Sequence, residues 1–561
     1  MRSLIAVLIF AASPLAAQGL GDSLQIYRSD RSELMRRWDD DYSPQRRARL
    51  DTMYAGWQAR LHAMAFSQLN REAQVDYVLF DHELTYERWL LQQEGRRYQQ
   101  MLPLIPFAPT VFRLHENRRA MMDLDPQAAA DTLVHLAAAV RAAEAQLSDA
   151  HFQRPARSTG LRAIEAVRDM KNVLEDWYRF YDGYDPLFTW WDEEPYARVD
   201  TALSHYEVML RRELIGQRPG EQEPIVGDPI GADGMRADLA HEMIPYTPQE
   251  LLAIGEREYA WCLREMLAAS RELGYGDDWH AALEHVKQTA VPPGEQPQLI
   301  RDLAREAEDY VMSRNLVTVP PLAREVWRME MMTPRRQLVN PFFTGGEVIS
   351  VSYPTHDMSY EDKLMSMRGN NPAFSRATVF HELIPGHHLQ GFMTSRYFPY
   401  RQMFSTPFWT EGWSLYWEMR LYAMGFPRNA EDRIGMLFWR MHRAARIIFS
   451  LKFHLGQMTP EEAVNFLVDS VGHERANAEA EVRRSFNGTY PPLYQAGYML
   501  GGLQILAMHH ELVDSGQMTE AQFHDAILHG GRMPIAMVRA RLENLPITRD
   551  GIAEWRFDHE R

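Results

Sequence analysis

The segment that most limits what this chain can become is residues 380–390, FHELIPGHHLQ. It begins as a helical run and carries Pro385-Gly386 in mid-course. Proline has no N–H to donate and drives the residue before it, Ile384, out of the α region. Glycine at the next position opens backbone angles closed to other residues. The helix must therefore break or bulge there, and the chain beyond Gly386 is turned relative to the helix before it. His381-Glu382 stands before the break and His387-His388 after it.

Those residue types carry chemistry. Three histidines and a glutamate fall within eight positions, in a chain of 561 residues with only 21 histidines. Imidazole and carboxylate suit zinc, and a His-Glu pair on a helix points to metal-activated water. In the familiar H-E-x-x-H pattern the second histidine sits at i+4, but here that place is Pro385. On a straight helix, His387 and His388 would lie roughly 9 and 10.5 Å along the axis from His381. Two donors about 2.0–2.1 Å from one zinc ion must be only a few ångströms apart. A fold-back at Pro385-Gly386 reconciles the two, with His387 and His388 both open as the second donor. A third donor is expected, and Glu411 in PFWTEGWSLYWEMR is the candidate. Glu418, seven residues on, falls on about the same helical face and could orient a donor histidine from behind.

The rest of the chain reads as mostly helix. Residues 161–181 place Leu161, Ile164, Val167, Met170, Leu174 and Trp177 on one stripe. Segments 248–274, 298–314, 410–424 and 431–455 also read as helices. Asp125-Pro126 is a helix start, and TPQE at 247–250 and TPEE at 459–462 are capping boxes. The one clear strand signal is EVISVSY at 347–353, after Gly345-Gly346. Residues 216–236, rich in Gly, Pro and acid, read as a long loop between two lobes.

Charge and cysteine usage exclude other classes. Sixty Lys plus Arg against 76 Asp plus Glu leave a net charge of −16. An acidic chain without a basic block is no partner for nucleic acid. No G-x-S-x-G, phosphate-binding Gly loop or C-x-x-C is present. Arg2, an apolar run over residues 4–15 and small residues Ala16-Ala17 form a signal-peptide pattern. The expectation is an exported protein, periplasmic or extracellular. Without a cysteine after the apolar run, a lipid anchor is not expected. Cys262, the single cysteine, lies on a helical pattern and reads as a buried apolar residue. His241-Glu242 has no histidine after it and reads as coincidence.

HELIPGHHLQ and, further on, TEGWSLYWE together resemble a bacterial family of exported domain-of-unknown-function proteins, marked by H-E-x-x-P-G-H-x-x-Q and E-G-W. These are similar to zinc metallopeptidases of the thermolysin-like clan, the gluzincins. The resemblance extends over most of the chain, through LNREAQVDYVLFDHEL, TPQELLAIGEREYAW and EVRR…YQAGYMLG. It implies one zinc ion held by His381, His387 and Glu411, with His387 taken from the P-G-H element and His388 the other choice. It implies Glu382 as general base toward zinc-activated water, and Tyr498 as donor to the developing oxyanion. Arg446 and His454, eight apart on one predicted helix, are further residues that could face the cleft. The EVISVSY strand could pair with substrate backbone.

The fold expected is mainly α, large and two-lobed, metallopeptidase-like, with a small β element beside the active-site helix. The expected divisions are a signal peptide over 1–17, an N-terminal helical lobe over 18–225 and a C-terminal lobe with the metal site over 226–561. The function expected is zinc-dependent hydrolysis of peptide bonds in oligopeptides. The alternatives are a non-catalytic exported metal- or peptide-binding protein of the same fold, or zinc hydrolysis of another amide or ester.

Overall fold

A computed structural model describes residues 20–339, 343–488 and 490–558; the expected signal peptide lies outside them. The fold is mainly α, with two short two-stranded sheets among the described residues. The segments read as helices become Arg157–Tyr181, Pro248–Glu272, Gln296–Ser313, Pro407–Ala423 and Ala430–His454. Both capping boxes form, at Thr247 with Glu250 and at Thr459 with Glu462. Asp125 caps its helix by accepting from the backbone N–H groups of Gln127 and Ala128. The stretch expected as a loop to residue 236 is shorter than that, because Gly231–His241 is helical.

Apolar side chains gather into distinct cores. One is built from residues 98–215, with Trp177, Phe188 and Tyr206 at its centre. A larger one joins the helices of residues 20–91 to residues 235–557. Through the larger core runs Ala430–His454, a 25-residue helix buried on nearly every face. Cys262 is fully buried in that core, and burial pushes its thiol up to about 12, so it packs as an apolar residue. His241 stacks on Tyr86 with ring centres 4.0 Å apart, packing between helices. No described helix is long and apolar enough to cross a membrane.

The small β element lies beside the His381 helix, Pro372–Glu382. Strand Val348–Val351 pairs in parallel with Arg328–Met331, and Ile349 and Val351 share a core with Val379 and Leu383. Its other side does not stay open, because Thr344 bridges Ser350 through two backbone hydrogen bonds. The expectation of a substrate-pairing edge on EVISVSY is therefore corrected. The segment that reaches the cleft is 343–346, just before the strand.

Candidate metal centre

The break forms where the sequence demands it. Asn371 caps the His381 helix by accepting from Phe374 N at 2.9 Å, and Pro372 occupies the first turn. The helix stops at Glu382, Ile384-Pro385 is cis, and a new helix runs His387–Thr394. Gly386 is required by close approach: a Cβ there would lie 1.9 Å from the His381 carbonyl oxygen. The fold-back is held by Gly386 N–H donating to Phe380 O at 3.0 Å and by Trp413 Nε1–H donating to Pro385 O at 2.8 Å. Ser414 hydroxyl donates to His381 O at 3.0 Å. Two residues of the E-G-W helix thus clamp the turn.

This geometry brings His381, His387 and Glu411 together, with one donor atom of each within 4.8 Å of the others. Glu411 Oε2 lies 3.1 Å from His387 Nε2 and 3.6 Å from His381 Nε2. Two donors each about 2.0–2.1 Å from a tetrahedral ion sit about 3.3 Å apart, so this nitrogen, nitrogen, oxygen set fits one zinc ion. His388 points elsewhere: its Nε2–H donates to Ala323 O at 2.7 Å. Glu418 accepts from His381 Nδ1 at 2.6 Å. Seven helical positions turn about 700°, within about 20° of two full turns, so Glu411 and Glu418 face His381 together and address its two nitrogens.

Electrostatics arise from that packing. Burial opposes a charge on His381, but hydrogen bonds to Glu411 and Glu418 raise it to about 9. Against the cost of burial, the His387 and His381 charges hold Glu411 well below the usual carboxylate range. Glu382 lines the same cavity, and burial raises its carboxyl group. Gly345 lies directly over it, where a Cβ would come within 2.2 Å of the Glu382 Cβ. Gly346, at φ +124°, donates its N–H to Glu382 O at 3.2 Å.

The cavity holds about 460 Å³. Tyr498 lines it with its ring nearly parallel to His381, centres 6.1 Å apart, and burial raises its phenol so that it stays protonated. Arg443 and Arg446 lie 4.6 and 4.5 Å from the Tyr498 ring centre. Arg446 lines the cavity as expected, but His454 does not. Eight residues turn about 800°, some 80° off the starting face, and His454 is buried beside Phe453. Tyr494, which sequence reasoning missed, donates its hydroxyl to Glu411; its position four residues before Tyr498 was the available signal. Arg532, also missed, joins the cavity from a distant turn with no local signal.

Another His/carboxylate grouping, His509, His510 and Asp514, is mostly exposed, and His509 Nε2 lies 3.1 Å from Glu520.

Comparison with known proteins places this architecture. No curated protein matches the chain. A solved protein of Shewanella oneidensis, described as a candidate lipoprotein of unknown function, superposes with a TM-score of 0.69 at 16% identity, covering 94% of this chain and 100% of that one. A candidate lipoprotein of Colwellia psychrerythraea gives 0.54 at 17% identity, over 89% and 90%. At such identities the likeness is one of fold. The family described as "Bacterial protein of unknown function (DUF885)" matches residues 14–542, and the chain belongs to that family.

Proposed function

We propose that this protein is an exported zinc-dependent peptidase. The observation that carries the reading is the convergence of His381, His387 and Glu411 on one point, beside a cavity lined by Glu382 and Tyr498. His381, His387 and Glu411 would hold the ion, and Glu418 would fix the His381 ring. When bound, zinc supplies Lewis acidity, polarising a carbonyl and making water a nucleophile near neutral pH. Glu382 takes the proton of the attacking water on its carboxylate and returns it to the leaving amine. Tyr498, kept protonated, donates its hydroxyl hydrogen to the carbonyl oxygen as charge develops there. Export is supported by the apolar run of residues 4–15 and by the candidate-lipoprotein descriptions of both solved relatives.

The test pairs metal analysis with digestion of a peptide mixture. The expected result is near-stoichiometric zinc, cleavage abolished by a chelator, and a Glu382→Gln variant that keeps its metal while losing ~10²–10⁴-fold in rate. Cleavage by metal-free protein overturns the reading.

A further inference from the structure

The cleft of this acidic protein is lined by four arginines, Arg443, Arg446, Arg484 and Arg532. Their partners sort them. Glu481 accepts from Arg446 Nε at 2.6 Å and from Arg484 Nε at 2.7 Å, so those two charges are answered. Arg443 is buried over Tyr498 and faces Glu418 at 3.9 Å. Arg532 is different. It has no carboxylate within 4 Å among the described residues. Its contacts are a long hydrogen bond from Nε to Thr394 Oγ1 at 3.4 Å and the Trp409 ring, 5.9 Å away. A half-buried guanidinium with no counter-ion, facing a substrate-sized cavity, lacks an anion that the substrate can bring.

Its place along the cleft narrows the class. The helix His387–Thr394 carries His387 at its start and Thr394, the Arg532 contact, at its end. Between them Gln390 and Gly391 line the cavity, and a Cβ on Gly391 would meet nothing within 4 Å. Seven residues of helix separate the donor histidine from Arg532's contact by roughly 10 Å. An extended peptide advances about 3.3–3.6 Å per residue, so the span corresponds to about three residues of chain beyond the bond at the metal centre.

We infer that Arg532 receives a carboxylate carried by the substrate, foremost the free C-terminus of a short peptide, so that the enzyme trims short segments of a few residues from peptide C-termini. This rests on the peptidase reading above. Arginine suits the task because its planar fork binds a carboxylate through two parallel hydrogen bonds.

The experiment compares zinc-loaded wild type, Arg532→Gln and Arg532→Lys on matched short peptides. These have a free C-terminal acid, a C-terminal amide, or an amide with an added Asp near its end. Thermal melts check that each variant is folded. The expected result is at least tenfold higher kcat/KM for the acid than for the amide in wild type, carried mainly by KM. That preference collapses in Arg532→Gln and partly returns in Arg532→Lys. Recovery by the Asp-bearing amide alone would place the carboxylate on a side chain while keeping Arg532 as its receptor. Equal cleavage of all three peptides by wild type, or an acid preference unchanged in Arg532→Gln, overturns the inference and leaves the peptidase reading standing. Failure of wild type to cleave any of them overturns both.

Discussion

Glu481 shows how single side chains support the candidate site from behind. It is 5% exposed and faces Arg446 and Arg484 across the wall of the cleft. Against the cost of burial, those guanidinium groups lower its carboxyl to about 2, from an ordinary 4.5. A lowered acid stabilises the fold fully above about pH 4.5, and that stabilisation is lost as pH falls through the range down to about 2. The contribution is on the order of a few kcal/mol. His473, hydrogen-bonded to His442 at 2.9 Å, is pushed by burial down to about 3, so it stays neutral while the unfolded chain protonates below about 6.5. Both groups make the protein weaken toward acid, His473 from about pH 6.5 and Glu481 from about 4.5. Glu481→Gln should lower the Tm at pH 7, and the gap to wild type should narrow as pH falls below 4.5. Circular-dichroism melts from pH 7.5 to 3 check this, and a constant gap would refute it. At this scale the candidate site was only partly legible. The density of His381, Glu382 and His387 marks a site in the sequence. The choice between His387 and His388 rests on the close approach at Gly386 and on Trp413, which are tertiary facts. Arg532 carries no sequence signal, because its meaning comes from having no carboxylate beside it in space among the described residues.

At the scale of elements, two helices meet almost backbone to backbone. Pro407–Ala423 carries Glu411 and Glu418, and Tyr494–His509 carries Tyr498. A Cβ on Gly501 would lie 2.1 Å from Phe408 O, and one on Gly412 would lie 2.6 Å from the Gly501 backbone. Backbone atoms cannot move aside as a flexible side-chain tip can, so any methyl group there must part the helices. That approach sets Tyr494 on Glu411. Gly501→Ala should cost about 1–3 kcal/mol, the usual penalty for overpacking. Gly56, exposed within Pro44–His62 with nothing within 4 Å of an added Cβ, is the opposite case. Gly56→Ala should stabilise by about 0.5–1 kcal/mol through the lost freedom of the unfolded chain. Urea titration of both variants checks the pair, and equal signs would contradict the close-approach argument. The helices themselves were legible because their apolar periods and caps are local. Gly231–His241 was not, because Gly231 and Gly234 look like loop residues, yet Gly234 sits where a Cβ would come within 2.8 Å of Ile230.

The whole molecule is tied together at Arg401, which no local pattern reveals. This fully buried guanidinium donates to Asp76 at 2.7 Å and to Glu72 at 2.7 Å, both on the helix Arg71–Met101. It also donates to Gly530 O at 2.6 Å, and Tyr400 hydroxyl donates to Asp76 at 2.8 Å. A Cβ on Gly531, at φ +77°, would come within 3.0 Å of the Arg401 side chain. The turn that Arg401 holds is therefore the one that delivers Arg532 to the cleft, and an N-terminal helix helps to place a residue of the candidate site. Breaking such a pair from one side strands a buried charge, which costs about 3–5 kcal/mol. Arg401→Met should lower urea stability by that amount, because Asp76, 1% exposed, is left without its cation. Adding Asp76→Asn to Arg401→Met should recover part of the loss, since the stranded charge is then gone. A double variant no more stable than Arg401→Met would show that the guanidinium acts mainly through the Gly530 turn.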